Sequence, residues 1–174
     1  LSLTMIEQLS LHEIVLKRSF QARIQGINQH TLQEYVEALD TGSTFPPIDV
    51  YRTPDGTLLL VDGWHRYHAH KACCLSSIKA NVHNGDEAAA HDYALYRANR
   101  TNGQRLSKKD VRELTRIAVA DPRFAEMSSR QLAKVIGVSY GTIANVRKEM
   151  GILRHRTSLR AEVSTDDVTK HNAR

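Results

Sequence analysis

The sequence predicts an α+β chain: a small mixed sheet flanked by helices, followed by an all-α unit. Three observations carry this. Short apolar or alternating runs of strand length (Met5 to Leu11, Ile48 to Tyr51, Leu58 to Val61, Ile78 to Val82) lie in the first half. The turn signals Pro54-Asp55-Gly56 and Asn84-Gly85 separate or end them. Beyond Asp86 the apolar residues recur at helical spacing behind capping residues.

The 174 residues are enough for one core or two small ones. Hydrophobic residues at 41% and charged residues at 25% are ordinary for a soluble globular chain. No apolar stretch approaches the roughly 20 residues that cross a bilayer, so no membrane partner is expected. The first residues, interrupted by Glu7, His12 and Glu13, do not read as a signal peptide. Cys73 and Cys74 are adjacent and make no disulfide framework, which fits a reducing, cytoplasmic compartment. A net charge of +5, with nine histidines uncounted, is modest support for a polyanionic partner.

In chain order, residues 5–11 read as a first strand, and His12-Glu13-Ile14-Val15 as one helical turn. Ser19-Phe20-Gln21-Ala22-Arg23 is a loop by its position between periodic segments. Asn28 caps a helix to about Asp40, with Leu32, Tyr35, Val36 and Leu39 on one face and Gly42 as its stop. Residues 48–53 and 57–62 should form a hairpin whose first strand has one exposed face. A helix follows to about Leu75, and a strand near 78–82 closes a sheet of four or so strands. Residues 86–100 are helical in composition, with Ala90, Tyr93, Ala94 and Arg97 on one side. Ser107 and Asp110 open a further helix as a capping box, its stripe formed by Val111, Leu114, Ile117 and Ala118. The expected division is residues 1–85, a sheet domain; 86–152, a helical domain; and 153–174, a basic, polar tail.

Two stretches carry chemistry. The first is Val61-Asp62-Gly63-Trp64-His65-Arg66-Tyr67-His68-Ala69-His70. A buried strand ending at a glycine and feeding a helix leaves backbone N–H groups free at the helix start. With the helix dipole, His65 and Arg66 those groups would cradle a phosphate. The alternative is a helix start capped by Asp62 with His65 and Arg66 solvated.

The second stretch is residues 129–146. Ala133 is the small residue that lets two helices approach, Gly137 supplies the turn, and Val138, Ile143 and Val146 seat the second helix on the first. Ser128 or Ser129 caps the first helix and Ser139 the second. That pattern is a helix-turn-helix, with a merely structural hairpin as the alternative. In such motifs the second helix enters the major groove of duplex DNA. Ser139, Tyr140, Gly141, Thr142, Asn145 and Lys148 then face outward, Asn145 and Thr142 suiting base edges. Arg130, Arg147 and Lys148 suit phosphates.

Gly63-Trp64-His65-Arg66-Tyr67-His68-Ala69 resembles the Gly-Glu-Arg-Arg-x-x-Ala box of the ParB family and the Gly-Cys-His-Arg box of sulfiredoxin, which shares its fold. The resemblance runs over about residues 6–150. It implies a ParB/sulfiredoxin-like sheet domain that holds a nucleoside triphosphate (CTP in ParB, ATP in sulfiredoxin) on Gly63, Trp64, His65 and Arg66. Gln21-Ala22-Arg23 resembles the family's Gln-Pro-Arg element, whose arginine reaches the triphosphate, with Ala22 replacing the stiffening proline. Ala98-Asn99 stands where the family has Glu-Asn at Mg²⁺, so Asn99 is the candidate metal residue, and the methyl of Ala98 cannot coordinate a hard cation. Trp64 occupies the place of sulfiredoxin's catalytic cysteine, which excludes that thiol chemistry.

The expectation is a ParB-like protein that binds double-stranded DNA and a nucleotide, works in partition or transcriptional regulation, forms a homodimer and sits at the nucleoid. The rival class is an enzyme of the same fold, a nuclease or a CTPase or ATPase, with His65 as acid/base candidate beside His68 and His70. A third reading is a plain helix-turn-helix regulator whose first domain has lost its ligand.

Overall fold

The computed structural model describes residues 5–98 and 106–152. Within them a five-stranded mixed sheet runs in the order β1-β5-β3-β4-β2. Its strands are β1 (Met5–Ser10), β2 (Ile14–Val15), β3 (Ile48–Arg52), β4 (Leu58–Asp62) and β5 (Ser77–Asn84). β1 pairs antiparallel with β5, β5 parallel with β3, β3 antiparallel with β4, and β4 parallel with β2. The segment expected as a helical turn is a short 3-10 turn, Leu11–Glu13, that delivers Ile14 and Val15 to the sheet edge beside β4. β5 is interior, not the closing strand, because β1 pairs along its outer side.

β4 is apolar without alternation because both its faces are covered. Leu58 and Leu60 point into one core with Leu9, Ile48, Val50, Ile78, Ala80 and Val82, closed by Tyr67. Leu59 and Val61 point into another with Phe20, Ala90 and Ala94. The face of β3 expected to be exposed is half-buried instead, since Tyr51 and Tyr93 pack against that second core.

The helix α1 (Gln29–Asp40) starts where Asn28 accepts the Thr31 N–H, and packs against α2 (Trp64–Ala72). One joint between them is polar: the Asn28 backbone N–H donates to His65 Nε2 at 3.0 Å. The α2 helix ends at Ala72, short of Leu75.

The helix α3 (Glu87–Asp92) runs on into a π-helical turn, Tyr93–Arg97. Ala90 and Ala94 sit on the sheet, while Leu95 and Tyr96 enter a helical core with Leu114, Phe124, Leu132 and Ile143. This helix therefore serves both cores instead of opening the second. The helical core is built from α4 (Lys108–Ala120), α5 (Ser129–Ile136) and α6 (Tyr140–Glu149). Capping boxes start α4 at Ser107/Asp110 and α5 at Ser128/Gln131, and Gly137, at φ 74°, turns the chain toward α6. The buried stripe of α4 is Leu114, Thr115, Ala118 and Val119, with Ile117 41% exposed. The helix is rotated from the expected register because Asp110 is buried as well: its carboxylate accepts the Ile24 N–H at 2.9 Å from across the molecule. The expected tail, residues 153–174, lies outside the described residues.

Burial pushes the Asp110 carboxyl up, but the bonds from Ile24 and Ser107 and the charge of Arg23 outweigh it and leave it below the usual carboxylate range. Asp110→Ala removes half of a capping box and strands a backbone N–H, so unfolding free energy should fall by about 2 kcal/mol in urea titration. An unchanged midpoint would show that the joint contributes nothing.

Burial, then the positive charges of Arg23 and His68, hold His65 below the usual imidazole range; burial and Lys71 do the same to His68. Unfolding returns each to about 6.5, so the unfolded chain binds more protons. That stability is complete above the unfolded value and is lost as pH falls toward the lower folded values. The melting temperature should drop between about pH 7.5 and pH 5.5. His65→Gln, which offers Asn28 an oxygen that does not titrate in this range, should flatten the drop. An equally steep profile in the variant would acquit His65.

Candidate functional site

The strand-to-helix turn at Gly63 sets the site. Gly63 has φ +93°, and a Cβ there would lie 2.5 Å from Ile48 Cγ2. Only glycine lets the chain leave β4, pass this close to β3 and enter α2 at once. No side chain caps the helix, so its first-turn N–H groups are left for a ligand or solvent. They open onto a cleft of about 60 Å³ lined by Gln21, Arg23, Thr31, Tyr35, Asp62, Gly63, Trp64, His65 and Arg66, with Phe20, Ala22, Val61 and Ala94 behind. Pockets that enclose a drug-sized ligand hold roughly 300–1,000 Å³, so this cleft can enclose a phosphoryl group, and the rest of a nucleotide would lie outside it.

The structure brings Gln21, Arg23, Gly63, Trp64, His65 and Arg66 together, although 40 positions separate the two segments; Asn99 lies outside the described residues. The loop 21–24 does not depend on a proline. Arg18 donates to the carbonyls of Gln21 at 3.5 Å, Arg23 at 3.3 Å and Ile24 at 2.8 Å, curling the loop around its guanidinium. Ala22 is buried in the helical core and the Ile24 N–H is held by Asp110. The Gln21 Oε1 accepts the Arg23 N–H at 3.2 Å, while its Nε2 is buried without an acceptor. Trp64 packs between the two sheet cores, and its indole Nε1 is likewise buried without an acceptor.

Two expected cradle cations behave otherwise. Arg66 donates to the carbonyls of Pro46 at 2.8 Å and Pro47 at 2.6 Å and to the Asp62 carboxylate at 2.9 Å. It clamps the loop before β3 to the helix start, so its contribution is to shape. Burial raises the Asp62 carboxyl, the Arg66 charge lowers it and Asp49 raises it, leaving it above the usual range. His65 is buried, and the lone pair on its Nε2 is occupied by Asn28, which makes it a neutral acceptor there instead of a cation. His68 stacks on Trp64 with centroids 6.4 Å apart, and His70 Nδ1 meets the Arg66 carbonyl at 2.8 Å. The three histidines thus take separate partners, and among the described residues no group of three or more His, Cys, Asp or Glu could hold a metal ion.

The residues that sequence reading missed are Asp62 as partner of Arg66, Tyr35, whose ring meets His65 edge-on at 6.2 Å, and Asp110. The i,i+4 spacing of Asp62 and Arg66 was a readable signal. Asp110 gave none beyond its cap.

On the helical unit, Ser139 caps α6 by accepting the Thr142 N–H, and its hydroxyl also meets Thr142 Oγ1 at 2.9 Å. Ser139, Asn145 and Lys148 are exposed, Tyr140 is 56% exposed, and the Arg130 guanidinium lies 5.9 Å from the Tyr140 ring centroid. Arg147 faces inward. It is buried and donates to Ser129 Oγ at 2.9 Å and the Met127 carbonyl at 2.8 Å, pinning α6 to the start of α5. Arg112 and Arg116 pair with Glu149 and tie α4 to α6.

The family model of the ParB N-terminal domain matches residues 2–98. No curated protein sequence matches the chain. Among solved structures, the chain is similar to a C-terminally truncated ParB from Caulobacter crescentus complexed to the centromeric parS site, at 18% identity over 83% of this chain and 71% of that one, TM-score 0.56. The same protein complexed with CTP-gamma-S gives 18% identity over 84% and 79%, TM-score 0.48. A Pnob8-like ParB-N domain gives 15% identity, 84% of this chain and 63% of that one, and TM-score 0.58. At these identities the likeness to solved structures is one of fold. No helix among the described residues is long and apolar enough to cross a membrane. The match over residues 2–98 and the sheet built around the Gly63 turn agree: the chain belongs to the ParB N-terminal domain family.

Proposed function

We propose that this chain is a ParB-like protein that binds duplex DNA through α5 and α6 and a nucleoside triphosphate, CTP or ATP, in the Gly63 cleft. The observation that carries the nucleotide half is the convergence of an uncapped helix start, with its backbone N–H groups, and Arg23 on one small cleft. Phosphate oxygens are acceptors only, which is what such a lining lacks. The DNA half rests on the surface of α6. Ser139, Tyr140, Asn145 and Lys148 stand outward, while Ile143, Val146 and Arg147 seat the helix. The Caulobacter ParB of similar fold was solved on its parS DNA.

In this reading a homodimer presents two copies of α6 to successive major-groove faces, in partition or in transcriptional regulation at the nucleoid. The enzyme reading is the less supported one, because its candidate His65 spends Nε2 on Asn28.

Calorimetric titration with CTP and with ATP, each with and without Mg²⁺, tests the cleft. One nucleotide should bind with roughly micromolar affinity, and Arg23→Ala should weaken it at least tenfold, about 1.4 kcal/mol. Arg66→Ala would also release the Pro46-Pro47 loop that its guanidinium clamps. No binding of either nucleotide by a folded, DNA-holding protein would leave the sheet domain as scaffold.

On DNA, Lys148→Ala should weaken cognate and scrambled duplexes alike, and Asn145→Ala should narrow the difference between them by about 1–3 kcal/mol. Equal losses on both duplexes for Asn145→Ala would exclude it from base reading.

A further inference from the structure

Resting on the DNA reading above, we propose that Gly141 is a positioning residue for base reading. Its bare backbone lets the first turns of α6 settle close to the floor of the major groove, where the short side chain of Asn145 meets an adenine edge. The fold itself does not ask for a glycine here. Beyond its chain neighbours and the backbone of its own helix, a Cβ built on Gly141 would meet only Ser139 Oγ, at 3.8 Å, and its φ lies outside the left-handed region. Every other glycine among the described residues has either a positive φ or a neighbour 3.0 Å or less from where a Cβ would stand. Gly141 lies inside α6 and is exposed, so it gives up helix propensity and gains no contact within the chain. What it offers instead is access.

The rest of α6 shows what that access serves. Ile143, Val146 and Arg147 are buried and fix the inner side of the helix. Gly141, Asn145 and Lys148 follow one another at i, i+4 and i+7, are all exposed and lie on the opposite side. A helical side chain leans toward the N-terminus and covers the turn before its own Cα, so Asn145 lies over the turn that holds Gly141. An asparagine amide hangs from a single methylene. To pair with adenine N6 and N7, the backbone beneath it must come close to the base edge. A side chain at 141 would meet the groove first and hold that turn away, whereas Lys148 reaches a phosphate on a long stem and does not depend on the approach. The gap is local. Tyr140, the next residue, is 56% exposed, with the Arg130 guanidinium 5.9 Å from its ring centroid.

The test uses a duplex that the wild-type protein selects from a randomised pool, beside a scrambled duplex of the same composition. Gly141→Ala suits a helical backbone, so the melting temperature of the variant should rise by about 1–4 °C. It should bind the selected duplex roughly tenfold more weakly and the scrambled one almost as wild type does. A fold that gains stability while its reader loses discrimination separates positioning from a structural role. In the Asn145→Ala background the same substitution should cost little further affinity, because the contact it guards is already gone. Wild-type discrimination in Gly141→Ala, a lowered melting temperature, or losses that add in the double variant would overturn the inference and leave the DNA reading intact. So would a wild-type protein that holds duplexes but selects no sequence. A wild-type protein that holds no duplex of any sequence would overturn both.

Discussion

The structure depends on the absence of one methyl group. At Gly63 the chain adopts φ +93° within van der Waals reach of Ile48, and any Cβ would overlap the Ile48 side chain. Because that space is empty, β4 ends against β3 and α2 begins with no intervening loop. The uncapped end of α2 is thereby delivered to the rim of the sheet, beside the loop that follows β2. The Arg66 guanidinium, whose Nε lies 3.1 Å from where that Cβ would be, then locks the turn to the carbonyls of Pro46 and Pro47. The geometry is steric first and electrostatic second: the glycine permits the approach and the arginine fixes it.

The loop over the cleft is shared property. Phe20 is buried in a sheet core, Ala22 in the helical core, and Ile24 donates to Asp110 of α4. Five consecutive residues thus belong in turn to the sheet, the cleft, the helical core and a buried polar joint. This loop meets α4 through the Ile24–Asp110 hydrogen bond and the charge of Arg23 near Asp110, and Glu149 ties α4 to α6 through Arg112 and Arg116. Double-mutant cycles across these named contacts would measure whether the two halves are coupled through them.

Much of this was legible in the sequence because it is local. Hairpin turn, caps at Asn28, Ser107 and Ser139, the Gly137 turn and the apolar run of β4 all follow from residue type and spacing. The convergence of residues 21–23 on the Gly63 box came from a family resemblance, since no local rule brings two segments so far apart together. What stayed hidden was non-local or inverted in sign. Arg66 and Arg147 are charged residues beside polar neighbours, which reads as outward, yet carbonyls of Pro46, Pro47 and Met127 draw them inward. His65 is basic in the sequence and an acceptor in the fold: its Nε2 takes the Asn28 N–H, and burial holds its imidazole below the usual range. Two-residue β2 is too short for periodicity to register.

The π-helical turn at Tyr93–Arg97 gives one helix two clients. A regular α-helix advances about 100° per residue, so a wider turn resets the angular phase of everything after it. Ala90 and Ala94 are in phase with the sheet, and Leu95 and Tyr96 are in phase with the helical core. The relative orientation of the two halves is therefore encoded as a residue count, in the manner of teeth on a gear. Side-chain changes along this stretch can be absorbed by repacking. Gaining or losing a single residue there would turn one client away from its seat, so the segment should tolerate drift in composition far better than drift in length.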